Sequence, residues 1–233
     1  MRAVMMAMAM LVATAASGET VKTPNYTFAY TYPAEAAAIP ALRKWLEADR
    51  AGTRSQTARD AAEARRDARG ATYPFHAWET QKTWEVVTNT PRFLSLSLDG
   101  YTFTGGAHGT PFSGSLVWDK ARGTRLEPET VFTSPAALAR AIPDLCARLK
   151  AVRARRIAPY VDSGDTFSQC PTLKELTLLL GSSNRQRIDR IGFIADPYVI
   201  GSYAEGAYEL TLPVTPAILA AVKPAYRTAF TIR

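Results

Sequence analysis

The segment from Tyr26 to Tyr32 constrains the fold more than any other part of the sequence. Its residues, YTFAYTY, alternate aromatic side chains with small or polar ones. A period of two is typical of a β-strand with one buried face, and Pro33 ends the pattern. Comparable runs predict further strands at 76–88, 92–104, 112–118, 189–195 and 207–213.

Helical patterns are interleaved with these strands. Pro40 suits the first turn of a helix, and Leu42, Trp45 and Leu46 then lie on one face. Further helical segments are predicted at 52–69, 135–156, 172–180 and 216–222. Segment 52–69 contains almost no large apolar residue, so we expect it to project into solvent.

The order of the elements predicts the fold class. Strands and helices follow one another in no repeating βαβ order, which indicates an α+β fold: a mixed, mainly antiparallel sheet with flanking helices. A chain of 233 residues, 47% of them apolar, can build one globular unit or two small subdomains. We expect two sequential subdomains, an N-terminal half at 19–104 and a C-terminal half at 105–233.

The N-terminal residues have the features of a secretory signal peptide. One basic residue, Arg2, precedes an uncharged stretch at 3–16, and small residues surround a potential cleavage site at 15–18. The stretch is too short to span a bilayer. An apolar helix of the fold is the alternative, but the stretch lacks a polar stripe. We therefore predict a signal peptide at 1–18, a periplasmic or secreted location, and no transmembrane segment in the mature chain.

Export changes the meaning of the two cysteines. In an oxidising compartment a pair of cysteines usually forms a disulfide, so we predict a bond between Cys146 and Cys170. Closing this loop stabilises the fold by roughly 3 kcal/mol in the chain-entropy treatment. A redox or nucleophilic thiol is the alternative, and the absence of a CxxC motif or a nearby histidine disfavours it.

Motifs for metal, cofactor and catalytic chemistry are missing from the sequence. The two histidines, His76 and His108, lie 32 positions apart, so we expect no metal site. Neither a phosphate-binding glycine loop nor GxSxG occurs, and we expect no cofactor and no catalytic residue. Several carboxylates could serve a hydrolase, but their spacing selects no pair. These carboxylates are Asp99, Glu127, Glu129, Asp165, Asp196 and Glu205.

The net charge of +7, from 28 basic and 21 acidic residues, raises the question of anionic partners. The basic segment 43–69 also carries acidic residues, as a solvated helix face does. In segment 140–156 the charges are mostly basic, with few acidic residues to offset them. For an exported protein, anionic envelope polymers or lipid head groups fit better than nucleic acid, and an ordinary solvated surface fits best. We therefore expect no nucleic-acid partner.

Two glycine-containing loops are the candidate ligand-binding regions. The first, at 105–109, reads GGAHG and carries His108 at its tip. The second, at 196–206, begins at Asp196 and carries Tyr198, Tyr203 and Glu205. Flat aromatic rings and carboxylates are suited to contacts with sugars or proteins. The alternative is structural: a hydrogen-bonded turn histidine and a tight connection packed by its own tyrosines.

The same loops carry a family resemblance. The residues at 101–109, with Val117-Trp118-Asp119 and Leu126, then those at 196–198 and 203–210, resemble an extracytoplasmic family of unknown function. Relatives of that family form the outer domain of the lysozyme-sensing anti-sigma factor RsiV and the N-terminal region of the peptidoglycan deacetylase PdaC. The resemblance implies an α+β module that contacts a lysozyme-like protein or cell-wall glycan, and it brings no catalytic residues.

The chain differs from these relatives in ways that limit which of their activities we expect it to share. We expect no signal transmission, because the chain lacks the transmembrane and cytoplasmic parts of an anti-sigma factor, and no deacetylase activity, because it lacks that domain's metal ligands. The sequence thus predicts a non-catalytic binding module whose partner is an envelope protein or a peptidoglycan fragment. The alternative is a peptidoglycan-directed hydrolase that uses His108 with a carboxylate.

Overall fold

The computed structural model describes residues 17–159, 167 and 169–233. The predicted signal peptide therefore lies outside the described residues, apart from Ser17 and Gly18. The candidate carboxylate Asp165 lies outside them as well.

The strands form two sheets. The larger sheet has the order β1-β2-β3-β4-β5-β6, and β2 and β3 are its parallel pair. The smaller sheet is antiparallel, with the order β7-β8-β9. The strands are β1 (Ser17–Lys22), β2 (Tyr26–Tyr32), β3 (Trp78–Asn89), β4 (Phe93–Phe103), β5 (Thr110–Asp119), β6 (Thr124–Leu126), β7 (Thr177–Gly181), β8 (Arg190–Ala195) and β9 (Tyr208–Pro213).

Helices flank both sheets, which confirms the predicted α+β class. The α-helices are α1 (Ala34–Ala37), α2 (Pro40–Asp67), α3 (Pro135–Ala141), α4 (Leu145–Arg156) and α5 (Pro216–Ala221). Short 3₁₀ turns occupy Pro128–Val131, Leu173–Glu175, Tyr203–Glu205 and Pro224–Ala229. In the part of the chain that the structure covers, no helix has both the length and the apolar character to cross a membrane.

One hydrophobic core lies between the larger sheet and α2. The aromatic side chains of β2 face it, as the period-two pattern predicts, and Leu42 and Leu46 of α2 are fully buried in it. The expectation that 52–69 projects into solvent is wrong, because Thr57 and Ala61 are buried in this layer. Small side chains at these positions allow the helix to approach the sheet closely, and that contact needs no large apolar residue.

A second core lies on the opposite face of β4 and β5. These strands present Leu96 and Leu116 to the α2 side, and Phe93 and Val117 to the smaller sheet and its helices. Where these residues lie, both strands are therefore covered on both faces. The expected boundary between residues 104 and 105 falls in the connection between β4 and β5, which pair along ten positions.

Two helix predictions need correction. The predicted helix at 135–156 is divided into α3 and α4 around Pro143, because proline has no N–H for the helical ladder. The predicted helix at 172–180 is instead a short turn followed by β7. There Leu178 and Leu180 face the second core at a spacing of two, and β7 pairs with β8.

The two cysteines form a disulfide, as predicted. Cys146 in α4 is bonded to Cys170, and their Cα atoms lie 5.4 Å apart. The bond fixes α4 to the chain that leads into the Leu173–Glu175 turn. It therefore joins one wall of the second core to the start of β7.

Candidate functional site

The two candidate loops meet in the folded protein. The His108 ring stacks on the Tyr203 ring, with a centroid distance of 4.0 Å and an interplanar angle of 25°. The Tyr198 ring lies next to Tyr203, at 6.1 Å between centroids. We call His108, Tyr198 and Tyr203 the aromatic platform. It joins a hairpin loop of the larger sheet to the β8–β9 connection of the smaller one.

The hairpin between β4 and β5 positions His108. Gly105 adopts φ of +92°, a conformation that glycine reaches without strain. Gly109 lies beneath the Tyr101 ring, where a Cβ atom would overlap that ring. His108 Nδ1 lies 2.9 Å from the carbonyl oxygen of Gly109. Because a carbonyl oxygen only accepts, Nδ1 donates, and in the neutral ring Nε2 is left as an acceptor on an exposed side chain.

A tight turn after β8 positions Tyr198. Its N–H donates to the carbonyl oxygen of Gly201 at 2.8 Å, and its φ is +74°. Left-handed backbone is uncommon for a bulky residue, and such positions cluster at sites that contact ligands. The turn leaves the Tyr198 side chain 53% exposed.

Asp196 anchors the second loop to the larger sheet. Its carboxylate accepts hydrogen bonds from the Ser113 N–H at 2.9 Å and from the Ser113 hydroxyl at 2.6 Å. Ser113 lies in β5, so the two sheets are joined directly beneath the loops. The carboxylate of Asp196 is thus already engaged by donors of the protein itself.

Glu205 is the acceptor that holds the Tyr203 turn. Its carboxylate accepts from Arg153 at 2.8 and 3.0 Å, from the Tyr208 hydroxyl at 2.6 Å and from the Ser202 N–H at 2.9 Å. The Arg153 hydrogen bonds outweigh the opposing effect of burial and lower the pKa of Glu205 to about 2. Burial, together with the hydrogen bond to Glu205, raises the pKa of Tyr208 to about 12.

The basic end of α4 completes this support. The Arg156 guanidinium lies over the Tyr208 ring at 4.0 Å and donates to the carbonyl oxygens of Glu205 and Ala207 at 2.8 and 2.7 Å. Two members of the basic segment 140–156, Arg153 and Arg156, therefore hold the loop that carries Tyr203. The sequence shows a run of arginines there but does not indicate which carboxylate or loop they contact.

The predicted site residues separate into two groups. His108, Tyr198 and Tyr203 share one accessible surface, whereas Glu205 lies below it and is engaged by the protein's own donors. His76 is close to Gly105 at the foot of the hairpin. Ser113, Arg153 and Arg156 support the loops and were missed, because their partners are distant in sequence.

The structure offers no metal-binding cluster in the residues it describes. No group of three potential metal ligands occurs at 17–159, 167 or 169–233. Over the same residues, the ion pairs join acids to arginine or lysine, and none includes His108. A hydrolase that uses His108 with a carboxylate therefore gains no support from this geometry.

Comparisons with known proteins agree with the resemblance seen in the sequence. Residues 19–110 match a protein-family model described as deacetylase PdaC. This region runs from β1 through the His108 hairpin. The chain shows no significant similarity to any protein of curated function.

Solved structures share the fold over most of the chain. A DUF3298 family protein from Pseudomonas aeruginosa PAO1 is 20% identical, with a TM-score of 0.50, covering 94% of this chain and 95% of that one. A member of the same family from Bacteroides fragilis NCTC 9343 is 16% identical, with a TM-score of 0.51, covering 93% and 97%. At these identities the likeness is one of fold, and together with the PdaC match it confirms the predicted resemblance.

Proposed function

We propose that this chain is an extracytoplasmic, non-catalytic binding module that contacts cell-wall glycan through the aromatic platform. The observation that carries the proposal is the stacking of His108 on Tyr203 beside the exposed Tyr198. Aromatic faces held at fixed positions suit the apolar faces of sugar rings, and the tyrosine hydroxyls and His108 Nε2 can bond sugar hydroxyls.

Glycan is favoured over a lysozyme-like protein by the charges beneath the platform. A basic protein would be attracted by free carboxylates. The two acids of the second loop, Asp196 and Glu205, instead accept hydrogen bonds from Ser113 and from Arg153. The net charge of +7 would also repel a basic partner at long range, while it would attract an anionic polymer.

An extracytoplasmic location is part of the same proposal. The disulfide between Cys146 and Cys170 is compatible with an oxidising compartment. We propose that the leader at 1–18 is removed close to its C-terminal end. Cleavage before Ser17 would keep β1 whole, since Ser17 and Gly18 pair with Tyr32 and Thr31 of β2. The N-terminal sequence of the exported protein tests this.

The binding proposal is tested by titrating soluble peptidoglycan fragments into the mature protein. Tyr198→Ala and Tyr203→Ala are each expected to weaken binding about tenfold, as loss of one aromatic contact implies. Tyr73→Ala is the matched control, because Tyr73 is a tyrosine with 61% exposure outside the platform, and its loss should leave the affinity unchanged. Equal affinity for all three variants would refute the proposal.

The same samples separate the other two candidates. A basic lysozyme offered in place of the glycan should not bind; binding that is lost in Tyr198→Ala would assign the platform to a protein partner. Incubation with intact peptidoglycan should release no product. Product release that disappears in a folded His108→Ala variant would instead establish the hydrolase.

A further inference from the structure

A separate cavity opens beside α3 in the second core. It has a volume of about 260 Å³, and its interior is apolar, with Phe132, Leu138, Leu178 and Phe193 among its walls. An apolar cavity of about 150 Å³ is already large enough to bind benzene. This cavity can therefore hold a phenyl ring or a branched alkyl group with a few additional atoms. It shares no residue with the aromatic platform.

Two opposite charges, Glu129 and Lys174, also line the cavity. Over the described residues, neither side chain forms an ion pair with the other or with a third residue. Burial raises the pKa of Glu129, and the neighbouring charge of Glu127 adds to this effect. A carboxylate that is partly removed from water and has no counter-ion would be stabilised by an ammonium group.

We propose that this cavity binds a free α-amino acid with a large apolar side chain, such as phenylalanine or leucine. The side chain would occupy the apolar interior, the ammonium group would pair with Glu129, and the α-carboxylate would pair with Lys174. This ligand class satisfies all three features of the cavity.

Other small ligands satisfy two of these features at most. A fatty acid or aryl acid would bring its carboxylate to Lys174 and leave Glu129 without a partner. An apolar amine would pair with Glu129 and leave Lys174 free. A residue within a peptide chain carries neither charge on its backbone. Charge complementarity therefore favours the zwitterion over each of these ligands.

Calorimetric titration with L-phenylalanine tests the proposal directly. Two analogues each remove one charge: 2-phenylethylamine lacks the carboxylate and 3-phenylpropionate lacks the ammonium group. We expect one site per chain and an affinity for each analogue about tenfold below that for L-phenylalanine, since each loses one charge-assisted contact.

Two substitutions then assign each charge to its residue. Glu129→Gln should weaken the binding of L-phenylalanine about tenfold. It should leave the binding of 3-phenylpropionate unchanged, because that analogue has no ammonium group. Lys174→Gln should weaken the binding of L-phenylalanine to a similar extent and leave the binding of 2-phenylethylamine unchanged, because that analogue has no carboxylate. Tyr73→Ala serves as the control, because Tyr73 is exposed and lies outside both the cavity and the platform, and it should not alter any of these affinities.

Three results would overturn the proposal. They are no heat of binding with L-phenylalanine up to about 10 mM, equal affinities for the amino acid and both analogues, or affinities that neither substitution changes. Thermal unfolding of each variant checks that it is folded. Should Glu129→Gln fail to fold, Lys174→Gln decides alone, because the Lys174 side chain is exposed.

Discussion

Arg153 and Glu205 lie 52 positions apart and form a two-point ion pair in which 9% and 12% of their side chains are exposed. The pair joins α4 to the turn that carries Tyr203. Because α4 is also fixed by the disulfide at Cys146, the aromatic platform is attached to a rigid part of the second core. Removing one partner leaves a largely buried charge without its counter-ion, which is costly.

Glu205→Gln is therefore expected to lower the free energy of unfolding at pH 7 by about 3 kcal/mol. The difference in the free energy of unfolding between wild type and this variant should depend on pH. Glu205 has a pKa of about 2 in the folded protein, below its ordinary value of 4.5. Its contribution is thus complete above pH 4.5 and is lost as the pH falls toward 2. Urea unfolding of both proteins at several pH values measures the difference.

Glu209→Gln is the matched control for this experiment. Glu209 is an exposed acid in β9, and the structure gives it no ion pair among the residues described. Its replacement should change the stability by less than about 0.5 kcal/mol at any pH. A stability difference between wild type and Glu205→Gln that stays constant down to pH 2.5 would contradict the assigned role of the Arg153 pair.

The disulfide should contribute about 3 kcal/mol, because it closes a loop between positions 24 apart. Cys170 is exposed, so a mild reductant can reach the bond. We expect reductant to lower the urea midpoint of the wild-type protein. The variant carrying both Cys146→Ser and Cys170→Ser should start at the lower midpoint and show no response to reductant. A wild-type midpoint that reductant leaves unchanged would argue against a stabilising bond.

Thr57 of α2 and Thr80 of β3 form a buried hydroxyl pair, with 3.0 Å between their oxygens. The Thr57 hydroxyl also lies 3.0 Å from the carbonyl oxygen of Thr53 and donates to it. Thr57 has one hydroxyl hydrogen, so Thr80 must be the donor within the pair. Thr57→Val therefore leaves a buried donor without an acceptor, whereas Thr80→Val leaves Thr57 still bonded to the backbone.

We expect Thr57→Val to destabilise the protein by about 1–3 kcal/mol, and Thr80→Val by clearly less. The double variant should recover part of the loss, because neither hydroxyl remains to be satisfied. Chemical denaturation of the four proteins measures the cycle. Equal losses in the two single variants would contradict the assigned direction of the hydrogen bond.

Local patterns predicted the strands well where one face is buried and the other is not. The alternation of β2 is visible in the sequence because its aromatic residues all face α2. The prediction of a helix at 172–180 was wrong because Leu173, Leu176 and Leu180 also fit a helical spacing. Pairing with β8, which the local sequence does not encode, selects the strand. Pro143 indicates the break between α3 and α4 in the sequence, but the apolar residues around it keep a helical spacing, which favoured one continuous helix.

The candidate site was predictable in its parts but not in its connections. Glycine and tyrosine composition indicated both loops, yet the stacking of His108 on Tyr203 depends on how the two sheets pack. The same limit applies to Glu205, whose sequence neighbours do not indicate Arg153 as its partner. A free carboxylate and an internally paired one have the same local sequence, so burial and tertiary contacts decide between them.

The glycine-rich hairpin provides a last prediction, in which only one of two glycines in the same loop should destabilise the protein when it is replaced by alanine. At Gly109, the space that a Cβ atom would take is filled by the Tyr101 ring. Gly109→Ala must displace that ring or the backbone next to His108, at a cost of about 1–3 kcal/mol. At Gly106, no heavy atom outside this residue and its two chain neighbours lies within 4 Å of the corresponding position.

Gly106→Ala should therefore leave the stability unchanged or raise it by up to about 1 kcal/mol, because alanine restricts the unfolded chain. Thermal unfolding of the two variants gives the comparison, and both change one glycine of the same hairpin to the same residue. Because His108 lies next to Gly109, the first variant should also weaken glycan binding by the platform, while the second should not. Equal destabilisation by both substitutions would mean that Tyr101 does not pack over Gly109 in solution.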